Sequence, residues 1–203
     1  MGSEPGEPEP PYDAVILAGG AARRLGGADK PGAVVGGRPL IVTVAAAVAA
    51  ARRLVIVGPA RPELPDAIVV REDPPGAGPV PALRAGLAEV TAAWTALLAA
   101  DLPFLRPVHI GALLHAAAGR RGAVLADDAG RDQWLAGVWR SAPLRAALAG
   151  YPGASLRGLL APLDPVRVRP PAGAEPPPWY DCDTAQDLAR ARAIGTTAVW
   201  QED

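Results

Sequence analysis

Five short apolar runs, each followed by turn residues or a helical segment, do most to limit what this chain can become. They are "DAVILAGG" (13–20), "RLVIVG" (53–58), "AIVVRE" (67–72), "WTALLAAD" (94–101) and "GAVLAD" (122–127). Continuous apolar strands of this kind are buried on both faces, the form that a parallel sheet covered by helices requires. Helical segments stand between them: 39–51, 81–90, 107–119, 141–150 and 155–163. Two further strands are expected at 132–140 and 165–169, and an amphipathic helix follows "WYDCDTAQDL" (179–188). Strands alternating with helices predict one three-layer α/β/α domain with a Rossmann-like, mostly parallel sheet over residues 12–203. Residues 1–11, acidic and proline-rich, are expected to form a disordered tail. Ser141 is expected to cap its helix, and Asp183 with Gln186 to form a capping box ahead of the last one.

Composition removes several function classes. The 203 residues carry a net charge of −1, which gives no long-range field for nucleic acid or an anionic membrane. One cysteine, Cys182, excludes an intramolecular disulfide framework and a multi-cysteine metal site. The N-terminus is not a signal peptide, and no apolar run approaches the length needed to span a bilayer. A cytoplasmic enzyme or binding protein is expected. His109 and His115 lie six apart on one helical segment and so do not share a face, which makes them poor joint ligands.

Among the 20 lysine and arginine residues there is a single lysine, Lys30, just past a glycine-rich loop. An ammonium is a compact point charge, whereas arginine is a planar fork. Glycines at the end of a buried strand let backbone N–H groups approach phosphates. The stretch "GGAARRLGGADK" (19–30) fits neither the P-loop, which needs Gly-Lys-Ser/Thr, nor the G-x-G-x-x-G dinucleotide fingerprint.

The longer string "LAGGAARRLGGADK" (17–30) resembles the signature L-A-G-G-x-x-x-R-[ML]-G-x-x-K of nucleotidyltransferases. With Asp before Lys it looks most like the molybdenum cofactor guanylyltransferase (MobA-like) family. "REDPPGAGPVPALRAGL", "LLAADLPFL", "DQWLAGVWRSAPLRAAL" and "YDCDTAQDLARAR" resemble that family's later segments, in the right order. The resemblance implies a fold of the nucleotide-diphospho-sugar transferase type and a transfer of GMP from GTP to molybdopterin, with pyrophosphate released and Mg²⁺ as cofactor. It implies backbone contacts to the nucleotide from Leu17, Ala18, Gly19 and Gly20, and charge balance from Arg24 and Lys30. Molybdenum-enzyme maturation proteins are the implied protein partners.

Asp101, at a strand end and followed by Pro103, is the expected Mg²⁺ ligand, since Mg²⁺ is commonly held by one or two carboxylates plus phosphate oxygens; its alternative is a helix cap. Asp73 either contacts the nucleotide or solvates a loop, and Asp183 either completes the metal site or caps the last helix. The chain departs from the family at Gly78-Pro79-Val80-Pro81-Ala82, where the family has Gly-Pro-Leu-Ala-Gly. It departs again at Gly58, where asparagine is frequent, and at Asp181 and Asp183, which replace two asparagines. Two rivals stay open. One is cytidylyl or other nucleotidyl transfer to molybdopterin, a sugar phosphate or another small phosphorylated acceptor. The other is a catalytically weak nucleotide-binding protein.

Overall fold

The computed structural model describes residues 9–19, 29–170 and 176–197. The disordered-tail expectation falls largely on residues 1–8, outside that set. The central strand β1 (Tyr12–Leu17) is buried at every position. It pairs in parallel with β4 (Leu54–Val57) on one side and β6 (Trp94–Ala99) on the other. β5 (Ile68–Val70) extends the sheet beyond β4. On the opposite wing β8 (Asp132–Arg140) runs antiparallel between β6 and β7 (Gly122–Ala126), and β9 (Val166–Val168) closes the far edge parallel to β7. The seven-stranded order is β5-β4-β1-β6-β8-β7-β9.

Successive side chains of a strand face opposite sides, and here that alternation separates two cores. Ala14 and Ile16 join Ile41 and Val44 of α1 (Leu40–Ala47) and Leu113 of α3 (Pro107–Ala116). Val15 and Leu17 join Leu83 of α2 (Pro79–Ala88), Leu144 of α4 (Ser141–Ala149) and Leu159 of α5 (Leu156–Leu160). This is the expected three-layer α/β/α arrangement. A third, smaller cluster docks α6 (Ala185–Thr197) through Ala191 against Val35, Leu40, Phe104 and Cys182. Val35 belongs to a two-residue ribbon, β2 (Val34–Val35) with β3 (Arg38–Pro39), which lies inside what reads in sequence as a loop. None of the described helices is long and apolar enough to cross a membrane.

Helix α2 sits unusually close to the sheet. A Cβ at Gly86 would stand 2.5 Å from Val15 Cγ1 and 2.8 Å from Val57 Cγ2, so glycine sets the spacing between helix and strands. At the sheet edge where the parallel strands begin, buried Asp13 accepts from the Thr91 and Ala92 N–H groups at 2.6 and 2.8 Å. Ser141 is not a cap. It is the first residue of α4, buried, and its hydroxyl donates to Ala92 O at 2.7 Å and lies 2.9 Å from Thr95 Oγ1. These bonds anchor the end of the domain away from the site and leave the carboxyl ends of the parallel strands to chemistry.

Candidate active site

In an open α/β sheet, ligands collect beyond the carboxyl ends of the strands. β1, β4, β5 and β6 all point there, and their pairing continues past the strands: Ala18 N donates to Val57 O at 2.9 Å, Gly58 N to Val70 O at 2.9 Å, and Ala100 N to Leu17 O at 3.2 Å. Leu17, Ala18 and Gly19 therefore share one edge with Asp101, which follows β6. Gly20 and Arg24 lie outside the described residues.

Lys30 enters this edge from a turn that closes through Ala33 N to Lys30 O (3.0 Å) and is tied to α1. The first N–H groups of a helix lack intrahelical partners; here Leu40 N donates to Ala33 O and Ile41 N to Pro31 O, so the start of α1 holds the lysine turn. The Lys30 ammonium forms an ion pair with Asp101 Oδ2 and donates to Asp183 Oδ1 at 2.6 Å. Burial works against its charge, but the two carboxylates outweigh burial and hold Lys30 above its ordinary pKa, so it stays an ammonium. Asp101 Oδ1 is buried and has no hydrogen-bond partner among the described residues. Burial, with Asp183 and Asp101 nearby, pushes Asp181 above the usual carboxylate range. Two carboxylates thus share one ammonium, with Asp181 close enough for its charge to be felt.

The alternative roles for these carboxylates are decided by where the caps fall. Helix α3 is entered through Arg106, whose N–H donates to His109 Nδ1 at 3.0 Å, so Asp101 caps nothing. The box ahead of α6 is Thr184 with Asp187, not Asp183 with Gln186. Thr184 N donates to Asp187 Oδ2 at 2.8 Å, and Asp187 N to Thr184 Oγ1 at 3.1 Å. One residue of shift leaves Asp183 for Lys30. Cys182, between the two aspartates, is buried, and its thiol is pushed up to about 12, chiefly by burial.

Asp73 is exposed, and the carboxylate turned into the cleft is its neighbour. Glu72 is buried, accepts from Gly76 N at 2.9 Å, and would stand 3.6 Å from a Cβ at Gly19. Continuing the strand alternation from Ile68 through Val70 points to Glu72; that signal was available in the sequence. Gly58 cannot carry a side chain without movement, because a Cβ there would meet Ala18 C and O at 2.9 Å. At the start of α2, Pro79 and Pro81 have no N–H, and Ala82 N is used by Gly78 O at 3.2 Å.

The model of the MobA-like NTP transferase domain family matches residues 14–167. The chain belongs to this family. Among its relatives is a phosphoenolpyruvate guanylyltransferase of Frankia casuarinae, 36% identical over 148 residues, which are 68% of this chain and 50% of that protein. The chain thus matches half the length of that relative. A probable molybdenum cofactor guanylyltransferase of Mycobacterium avium is 33% identical over 134 residues, 63% of this chain and 68% of that protein. A nucleotidyl transferase from Methanothermobacter superposes with a TM-score of 0.76 at 21% identity, covering 92% of this chain and 98% of that one. Molybdopterin-guanine dinucleotide biosynthesis protein A from Archaeoglobus fulgidus gives 0.69 at 21% identity, covering 91% and 99%. These neighbours share the fold along nearly the whole chain.

Proposed function

We propose that this MobA-like protein is a guanylyltransferase that moves GMP from GTP to a phosphorylated acceptor, with molybdopterin the leading acceptor and pyrophosphate the leaving group. The observation that carries the reading is the Lys30 ammonium seated between Asp101 and Asp183 at the strand ends. In the reaction an acceptor phosphate oxygen attacks the α-phosphorus of GTP, and the bond to pyrophosphate breaks. Catalysis of this type is chiefly positioning and charge neutralisation and needs no protein nucleophile.

Mg²⁺ fits the donors present. Asp101 offers a buried oxygen with no partner among the described residues, and Asp183 faces the same ammonium. Mg²⁺ bound by one or two carboxylates is normally completed by water and substrate phosphates; among the described residues no group of three or more His, Cys, Asp or Glu could hold a metal. Bound there, Mg²⁺ would neutralise phosphate charge. Lys30 would move its donors onto phosphate oxygens, Gly19 would let the nucleotide approach the backbone, and Glu72 would face the nucleoside. The product would pass to molybdenum-enzyme maturation proteins.

A second acceptor, phosphoenolpyruvate, is favoured by the names of the Frankia relative and of one from Salinispora arenicola, 34% identical over 159 residues. Relatives named for either acceptor are named guanylyltransferases, which supports GTP as the donor. Pyrophosphate release assayed with each nucleoside triphosphate, with molybdopterin or with phosphoenolpyruvate, tests the proposal. GTP-specific release with molybdopterin is expected. Release with phosphoenolpyruvate alone would move the acceptor assignment, and no release with any pair would end the transferase reading.

A further inference from the structure

The residue before the lysine is held by a device that no motif contains. Asp29 receives the forked guanidinium of Arg61: Nη2 donates to Oδ1 at 2.7 Å, and Nη1 pairs with Oδ2. Arg61 is the seated partner, its side chain 9% exposed against 57% for Asp29. Its loop, which follows β4, is closed on itself by Leu64 N to Arg61 O at 3.0 Å and Ala67 N to Leu64 O at 3.2 Å. The side-chain bond from Arg61 holds the Asp29 carboxyl below its usual range, so the pair stays ionised.

The third member is Gly32. A Cβ there would stand 2.3 Å from Asp29 Oδ2 and 3.4 Å from Arg61 Nη1. A side chain at 32 would push the carboxylate off the fork. Lys30 is therefore fixed from both flanks: Asp29 by Arg61, and Pro31 with Ala33 by the start of α1.

We infer that Arg61 is a positioning residue for Lys30, acting through Asp29 and the space left by Gly32. A lysine side chain is flexible, with many rotamers to lose, and two carboxylates fix its tip only if its root stands at the right place. Bidentate pairing suits that task because it sets direction as well as distance. A displacement of about 1 Å at a reacting group costs on the order of 100-fold in rate.

The kinetic part of this inference rests on the guanylyltransferase reading; the positional part does not. Because Lys30 is the one lysine of the 203 residues, protein labelled with ¹³Cε-lysine gives a single NMR signal that needs no assignment. In Arg61→Ala and in Asp29→Asn that signal should move toward the position and narrow width of a free lysine, and the double variant should move it no further. For transfer, kcat should drop on the order of 100-fold with KM for GTP close to the parent's. Should Arg61→Ala lose its fold by circular dichroism, the isosteric Asp29→Asn decides instead. An unchanged lysine signal in folded Arg61→Ala and Asp29→Asn overturns the inference, whatever the activity. A parent protein inactive with every triphosphate would sink the functional reading and leave the NMR result standing.

Discussion

The Lys30 ammonium donates to Asp183 Oδ1 at 2.6 Å while its other side faces Asp101. One small cation thus joins a carboxylate that follows a central strand to one that precedes the last helix. A guanidinium could not take that place, since its donors are fixed in a plane.

From this geometry, Lys30→Arg is expected to fail although it preserves charge. Both Lys30→Arg and Lys30→Ala should lose roughly 100- to 1000-fold in kcat, the usual effect of removing a charge-stabilising donor. The melting temperature should scarcely change, because the ammonium is partly exposed. Steady-state kinetics beside thermal melts check this, and near-normal turnover in Lys30→Arg would contradict it.

Metal binding should separate the members of the cluster. Asp101→Asn preserves shape and should keep the fold, yet weaken binding of Mn²⁺, followed by its paramagnetic resonance, and lower turnover. Lys30→Ala should bind Mn²⁺ in the absence of nucleotide more tightly than the parent, because the ammonium no longer competes for the two carboxylates. Equal Mn²⁺ affinity in the parent and Asp101→Asn would remove Asp101 from the metal site.

Cys182 should behave as an inert core thiol. With its pKa pushed to about 12, a negligible thiolate fraction exists at pH 8, and the thiolate is the reactive form. Ellman's reagent should leave the native protein unmodified for as long as it stays folded and titrate the thiol promptly in guanidinium chloride. Fast labelling of the native state would show that the α6 cluster opens readily.

Gly86→Val should destabilise the domain by roughly 1–3 kcal/mol, the usual cost of forcing methyl groups into a packed core. The added carbons would meet Val15 and Val57. Urea unfolding checks the size, and a variant as stable as the parent would mean that α2 can lift off the sheet without penalty.

Four of the five apolar runs are buried strands as read, and β8 follows the bounds read from sequence at Asp132–Arg140; β5 was expected to be buried as well, but at the sheet edge it leaves Val69 exposed. The β2–β3 ribbon was not legible, since two residues are too few to show a period. Lys30 and Asp101 were visible through a family resemblance and a strand end. The capping box lies at Thr184 and not at Asp183, and of the pair at 72–73 it is Glu72 that is buried, because polar neighbours satisfy the same local pattern and only packing chooses between them. The Arg61–Asp29 pair had no sequence signal at all. It joins two loops whose proximity follows from the sheet order.

The docking of α6 gives the site an order in time. Asp183 lies 153 positions after Lys30, and chains emerge from the ribosome N-terminus first. Lys30 and the segment bearing Asp101 are thus synthesised before the second carboxylate of the pair exists. Only when Ala191 settles against Val35, Leu40 and Phe104 does the ammonium gain both partners. A chain that stopped before Asp183 would lack the second carboxylate that holds the ammonium.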